Sequence, residues 1–244
     1  MRLYNDDCIK AMCNIPDRSI DMILTDPPYG KTACKWDSVI PLDLMWKQLR
    51  RIIKPSGAIV MTASQPFTTT LIASNMEMFK YDIVWEKSRI SNPLRNKKEP
   101  SRVHESIILF CDGVPTYNPQ TFFIDEKYID KRKSLNNSNW GKGQFKGEMI
   151  RKKDSGERQP QSVVFFKSHW SKGMHPTQKP VDLMEYLIKT YTNERELILD
   201  FAMGSGTSGV GCKNLNRDFI GIEKDKEWFE KAEKRINKSQ GQLF

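Results

Sequence analysis

Residues 25–30 read Thr-Asp-Pro-Pro-Tyr-Gly, which sets a carboxylate, two prolines and an aromatic ring in immediate succession. Asp26 and the carbonyl of Pro27 are both acceptors, and an exocyclic amino group offers two N–H donors. An amine held by both keeps its nitrogen lone pair free to turn toward an electrophile. Pro28 stiffens the backbone so that the two acceptors converge, and Tyr29 presents a face on which a flat base can stack. A plain strand-ending Pro-Pro turn would use the same residues, so the motif gains its weight from a partner site elsewhere.

That partner is residues 200–209, Asp-Phe-Ala-Met-Gly-Ser-Gly-Thr-Ser-Gly. Gly204 and Gly206 allow a sharp turn between strand and helix and let backbone approach a ligand closely. Glu223 follows 17 residues after Gly206, at the end of the next expected strand, where an acid can accept from both ribose hydroxyls of a nucleoside cofactor. The third glycine of the dinucleotide fingerprint is out of register, and no GxxxxGK[ST] occurs. Nicotinamide dinucleotides and ATP phosphates therefore fit poorly. None of the five cysteines is cast as catalytic.

Alternating strands and helices must position these residues. Residues 19–25 form a compact apolar strand halted by Asp26-Pro27-Pro28, and helical spacing over 41–54 leads through Pro-Ser-Gly into the strand AIVMTA. A helix around 67–78, the strands YDIVWE and SIILFC, a helix over 181–191, a strand–turn–helix through 209, the strand RDFIGIE and a last helix from about 225 complete the pattern. Such repetition predicts an α/β fold, a Rossmann-like, doubly wound and mostly parallel sheet. Alternation fails over 112–171, where VVFFK (163–167) is one expected strand within an inserted, irregular lobe with a target-recognition task. Residues 1–111 and 172–244 make up the core.

The composition, with 38% hydrophobic and 28% charged residues in 244, excludes wholesale disorder, and no apolar run is long enough to span a membrane. The start, MRLYNDDCIKAM, carries two acids and no apolar leader core, so a cytoplasmic protein is expected. Scattered cysteines and only three histidines exclude a zinc cluster, and no metal is expected. The net charge of +9 is localised: residues 87–180 hold 19 Lys/Arg against 9 Asp/Glu, a balance of +10, while the rest holds 20 against 21. Within it, residues 87–103 form a basic arm whose Arg89, Arg95, Lys97, Lys98 and Arg102 suit phosphates.

Asp-Pro-Pro-Tyr together with the FxGxG-type turn at 201–206 resembles the S-adenosylmethionine-dependent DNA amino-methyltransferases, in the β-class order with the catalytic motif first and the cofactor turn last. NDDC (5–8), HPTQKP (175–180), KPSG (54–57) and HES (104–106) extend the resemblance over nearly the whole chain outside the lobe. It implies S-adenosylmethionine as cofactor, S-adenosylhomocysteine as product, and a sheet with one antiparallel edge strand. It places Asp7 at the cofactor's adenine, Glu223 at its ribose, and Thr177 and Lys179 at its methionine part. Asp200 and Phe201 would wall the cofactor, and Gly204, Gly206 and Thr207 would shape its turn.

By the same resemblance, Asp26, Pro27, Pro28 and Tyr29 would hold a base flipped out of duplex DNA for direct in-line transfer. Asp in this motif usually accompanies adenine N6 and Ser cytosine N4, so adenine is expected, with cytosine as the alternative. A catalytically silent cofactor- or DNA-binding module is a second alternative, which the intact motifs oppose. The resemblance leaves room for a homodimer and for a separate restriction endonuclease, and no residue pattern demands either.

Overall fold

A computed structural model describes residues 1–30, 37–92, 97–129, 154–168 and 178–239. The contacts divide the chain into two compact units, Met1–Asn118 with Ser162–Phe244, and Pro119–Gln161.

In the larger unit the strands are β1 (Arg2–Tyr4), β2 (Ile20–Thr25), β3 (Ile53–Ala63), β4 (Phe79–Lys87), β5 (His104–Phe110), β8 (Val163–Phe166), β9 (Leu197–Asp200) and β10 (Asp218–Ile222). Helices are α1 (Cys8–Met12), α2 (Leu42–Ile52), α3 (Phe67–Ala73), α4 (Val181–Tyr191), α5 (Thr207–Asn214) and α6 (Lys226–Lys238). The strands form one sheet in the order β1-β10-β9-β2-β3-β5-β4-β8. Among the described residues, no helix is long and apolar enough to cross a membrane.

Strands with almost no polar positions are buried on both faces, and the pleat decides which face each side chain serves. Ile23, Ile59, Met61, Ile108 and Phe110 pack with Met12, Met45, Leu49 and Leu71 from α1, α2 and α3. Their neighbours Met22, Leu24, Ala58, Val60, Ile107 and Leu109 pack on the other face with Leu183, Leu187, Val210, Cys212 and Ile236 from α4, α5 and α6. Three helices on each face of one sheet make the doubly wound architecture that strand–helix alternation predicts.

Three expectations differ from the observed fold. The antiparallel strand is not at an edge: β5 runs against both β3 and β4 and lies between them. The strand at 163–167 does not belong to the inserted lobe: Val84 to Lys87 of β4 pair in parallel with Val163 to Phe166. The lobe is also narrower than 112–171, because Gly113, Thr116 and Asn118 donate backbone bonds to Pro55, Ser56 and Thr190 of the larger unit. Long-range pairing of this kind leaves no local periodicity to read.

The smaller unit contains β6 (Phe122–Phe123) and β7 (Glu157–Arg158), an antiparallel pair. Arg158 ties it internally with bonds of 2.7 and 2.8 Å to the two carboxylate oxygens of Asp154.

From β2 the chain continues to β3 on one side, and from β9 to β10 on the other, while β2 and β9 pair directly. The crevice at the carboxyl ends of β2 and β9 is thus the topological switch point, where ligands gather in open α/β sheets. Both chemically suggestive motifs end there.

Candidate active site

A cavity of about 740 Å³ opens at this switch point, within the larger unit. Its lining includes Asp26, Pro27, Pro28, Tyr29, Glu105 and Lys179, together with Asp7, Phe201, Gly204, Thr207 and Glu223. The volume is within the range of small-molecule sites.

At the end of β2, Asp26 is surrounded by donors. Its Oδ1 accepts from the Tyr29 hydroxyl at 2.5 Å and from the Thr62 hydroxyl, and its Oδ2 accepts from the Lys179 ammonium at 2.6 Å. Lys179 is almost wholly buried, its side chain 6% exposed, and a second carboxylate oxygen, of Glu105, lies 3.3 Å away. Lys87 in turn stands 2.8 Å from the other oxygen of Glu105. Charges therefore alternate from Lys87 through Glu105 and Lys179 to Asp26. Burial by itself would lower the Lys179 pKa, yet the carboxylates of Asp26 and Glu105 outweigh it and raise it above the ordinary lysine value. Burial likewise opposes ionisation of Glu105, but Lys179 and Lys87 hold its pKa below the usual carboxylate value. Burial, then the charge of Asp26, keeps the Tyr29 phenol well above its usual pKa, so it stays a donor.

The Pro-Pro-Tyr-Gly turn is fixed from outside itself. Asp37, buried, accepts from the backbone N–H groups of Tyr29 at 2.8 Å and Gly30 at 2.9 Å. One face of the Tyr29 ring stacks on Phe67, with centroids 5.3 Å apart and planes inclined by 25°.

The glycine turn after β9 works differently. Gly204 and Gly206 both adopt left-handed backbone, with φ of +50° and +75°. A Cβ on Gly204 would meet no protein atom within 4 Å, whereas one on Gly206 would come within 3.0 Å of Ile236 and Ala232 of α6. The first glycine thus lends conformation beside the cavity, and the second admits a helix. Glu223, at the end of β10, accepts from Gly204 N at 2.9 Å through Oε2 and from Asp225 N at 2.8 Å through Oε1. Burial raises its pKa above the usual carboxylate value, against the pull of those bonds. Each oxygen keeps acceptor capacity for a vicinal diol. Asp7 caps α1 through Ile9 N at 3.1 Å and lies 3.2 Å from Lys224.

Asp200 is buried and accepts from Thr25, at 2.8 Å, and Ser208. Burial pushes its pKa up to about 6 even against these hydroxyl bonds. Asp200 lines the cavity with Phe201, and its polar atoms serve neighbouring elements.

The structure brings Asp26, Tyr29, Lys179, Asp7, Glu223, Phe201, Gly204 and Thr207 to one cavity. Lys179, expected at the methionine part of a cofactor, has its ammonium on Asp26. Of the basic arm, Arg89, Lys97 and Lys98 are exposed, while Arg102 lines the cavity and Lys87 is taken up by Glu105. Arg95 and Thr177 lie outside the described residues. Thr62, Asp37 and the role of Glu105 escaped the sequence reading. Thr62 could have been found from its place at the carboxyl end of β3; nothing local marks Asp37.

A family model described as DNA methylase matches residues 20–234. The chain is 32% identical over 262 residues to the type II methyltransferase M.BglII of Bacillus subtilis, covering 95% of this chain and 67% of that protein. Among solved structures, the complex of M1.HpyAVI with SAM superposes with a TM-score of 0.63 at 26% identity, covering 96% of this chain and 98% of the other. The PvuII DNA methyltransferase, described as cytosine-N4-specific, shares the fold with a TM-score of 0.67 at 14% identity, over 99% and 87% of the two chains.

Proposed function

Because the chain belongs to the DNA methylase family, whose model spans residues 20–234, we propose that it transfers a methyl group from S-adenosylmethionine to the exocyclic N6 amine of adenine in duplex DNA. The observation that carries this reading is the Asp26 carboxylate at a cavity shared with the Gly204–Glu223 cradle.

The cavity fits the cofactor. Glu223 offers an acceptor to each ribose hydroxyl, Ile9 and Phe201 supply apolar wall, and Gly204 leaves room where any side chain would project into the space. When bound, S-adenosylmethionine supplies a methyl group made electrophilic by its sulfonium. Asp26 accepts three donors among the described residues and keeps about one of its four acceptor sites, which suits one N–H of the target amine. The Pro27 carbonyl takes the other N–H, so the lone pair faces the methyl group. As the bond to nitrogen formed and the methyl–sulfur bond broke, positive charge would grow on the nitrogen, the adjacent carboxylate would stabilise it, and the amine would then lose a proton. Lys179, held charged by Asp26 and Glu105, fixes the Asp26 carboxylate in place. Tyr29, backed by Phe67, would stack on a base drawn out of the duplex.

Asp at position 26 supports adenine over cytosine by the family pattern described above. Arg89, Arg95, Lys97, Lys98 and Arg102 would grip phosphates, and the unit 119–161 would read the target sequence. The test is transfer of labelled methyl from S-adenosylmethionine to mixed-sequence duplex DNA, followed by digestion to nucleosides. Label in N6-methyladenine is expected. Label in N4-methylcytosine would overturn the adenine assignment, and no label from cofactor-binding protein would overturn the enzyme reading.

A further inference from the structure

Arg235 of α6 is a half-buried cation set against neutral groups. Its Nη1 lies 3.0 Å from Gln178 Oε1, 3.1 Å from the Ser205 carbonyl, 3.2 Å from Ser205 Oγ and 3.0 Å from Thr207 Oγ1. No carboxylate among the described residues forms an ion pair with it, and burial lowers its pKa with no anion opposing. A desolvated charge is ordinarily paired, so this one is poised for an anion that the protein does not supply. Gln178, Ser205 and Thr207 all line the cavity. Among the described residues the cations in the lining are Arg102, Lys179 and Lys224, of which Lys179 is taken by Asp26 and Glu105 and Lys224 by Asp7; Arg235 stands behind the lining and touches it through Gln178, Ser205 and Thr207.

Thr207 links Arg235 to the cavity. It is 6% exposed and accepts from Arg235, so its own hydrogen is directed elsewhere, and no described residue accepts it. The Ser205 hydroxyl is committed to Gln178 at 2.8 Å. Thr207 therefore presents a donor to the cavity with a guanidinium behind it, next to the turn whose Gly204 is bonded to Glu223. A ligand with its ribose on Glu223 and its reactive sulfur toward Asp26 has its amino-acid tail left for this corner.

Resting on the cofactor reading above, we propose that Arg235 is the positioning residue that selects the α-carboxylate of that tail, through the Thr207 hydroxyl. The experiment measures binding, by calorimetry, of two ligands differing only in that carboxylate: S-adenosylhomocysteine and its decarboxylated form, S-adenosyl-3-thiopropylamine. Wild-type protein should prefer the first. Arg235→Met should weaken S-adenosylhomocysteine about tenfold or more and the decarboxylated ligand less than about twofold. Arg235→Lys, which keeps the charge, should restore part of the preference. Equal weakening of both ligands would show a merely structural role and overturn the proposal. So would an unchanged preference, or its loss in Arg102→Met in place of Arg235→Met. Wild-type protein that bound neither ligand would overturn the cofactor reading and this inference with it, whereas the other failures leave that reading standing.

Discussion

Two carboxylates stand at the carboxyl ends of paired neighbouring strands, and they are treated in opposite ways. Asp26, after β2, meets an ammonium at 2.6 Å and, through it, a further acid and base. Asp200, closing β9, meets only hydroxyls and a backbone N–H among the described residues, and burial lifts its pKa to about 6. Thr25 joins the two, since its hydroxyl bonds Asp200 while the next residue is Asp26 itself. Placement on a strand end does not by itself make an acid reactive. A cation beside it pairs one carboxylate at the cavity, and neutral donors turn the other into a clamp between β2, β9 and α5.

Four changes would break or sharpen that contrast. Asp26→Ala should lower methyl transfer by about a thousandfold or more, with S-adenosylhomocysteine affinity within a few fold of wild type, as single-turnover kinetics and calorimetry would show. Retained transfer would remove Asp26 from the chemistry. Lys179→Met leaves Asp26 and Glu105 as uncompensated neighbours, and should cost about 3–5 kcal/mol of stability by denaturant titration along with most activity. A fully stable Lys179→Met protein would mean that the alternating charges are not coupled. Glu223→Ala should weaken S-adenosylhomocysteine about 10–100-fold while the single-turnover rate at saturating cofactor changes little, because its role lies in binding.

The smallest effect concerns Asp200. Its folded pKa of about 6 exceeds the ordinary 3.8, so the folded state holds an extra proton between those values. The stability this contributes is complete below about pH 4 and is lost as pH rises through 6. Wild-type melting temperature, measured relative to Asp200→Asn, should fall by about 3 °C between pH 5 and 7. A difference independent of pH would show that Asp200 is ionised throughout.

Much of this was legible in the chain. Asp26-Pro27-Pro28-Tyr29 and Gly204-Ser205-Gly206 declare their chemistry through residue type, because a proline pair can stop a strand and glycine can take left-handed φ wherever they occur. Apolar strands alternating with amphipathic helices likewise settle the doubly wound class, since each must bury its face against the other. The place of β8 and the limits of the lobe were not legible, because β4 pairs with a strand 79 positions away, Val84 with Val163, and the two carry no mutual signal.

The sequence by itself therefore determined which groups could hold an amine and a ribose, and the class of sheet that would carry them. Only the tertiary structure decided what surrounds them. Lys179 reaches Asp26 across 153 positions of chain. Glu105 reaches Lys179 because β5 runs antiparallel inside the sheet, so that its first residues, with Ser106 opposite Ala63, lie beside the carboxyl end of β3. The charge state of a buried acid depends on which opposite charges the fold brings within a few ångströms, and that distance is a property of strand order, which no local stretch of sequence contains.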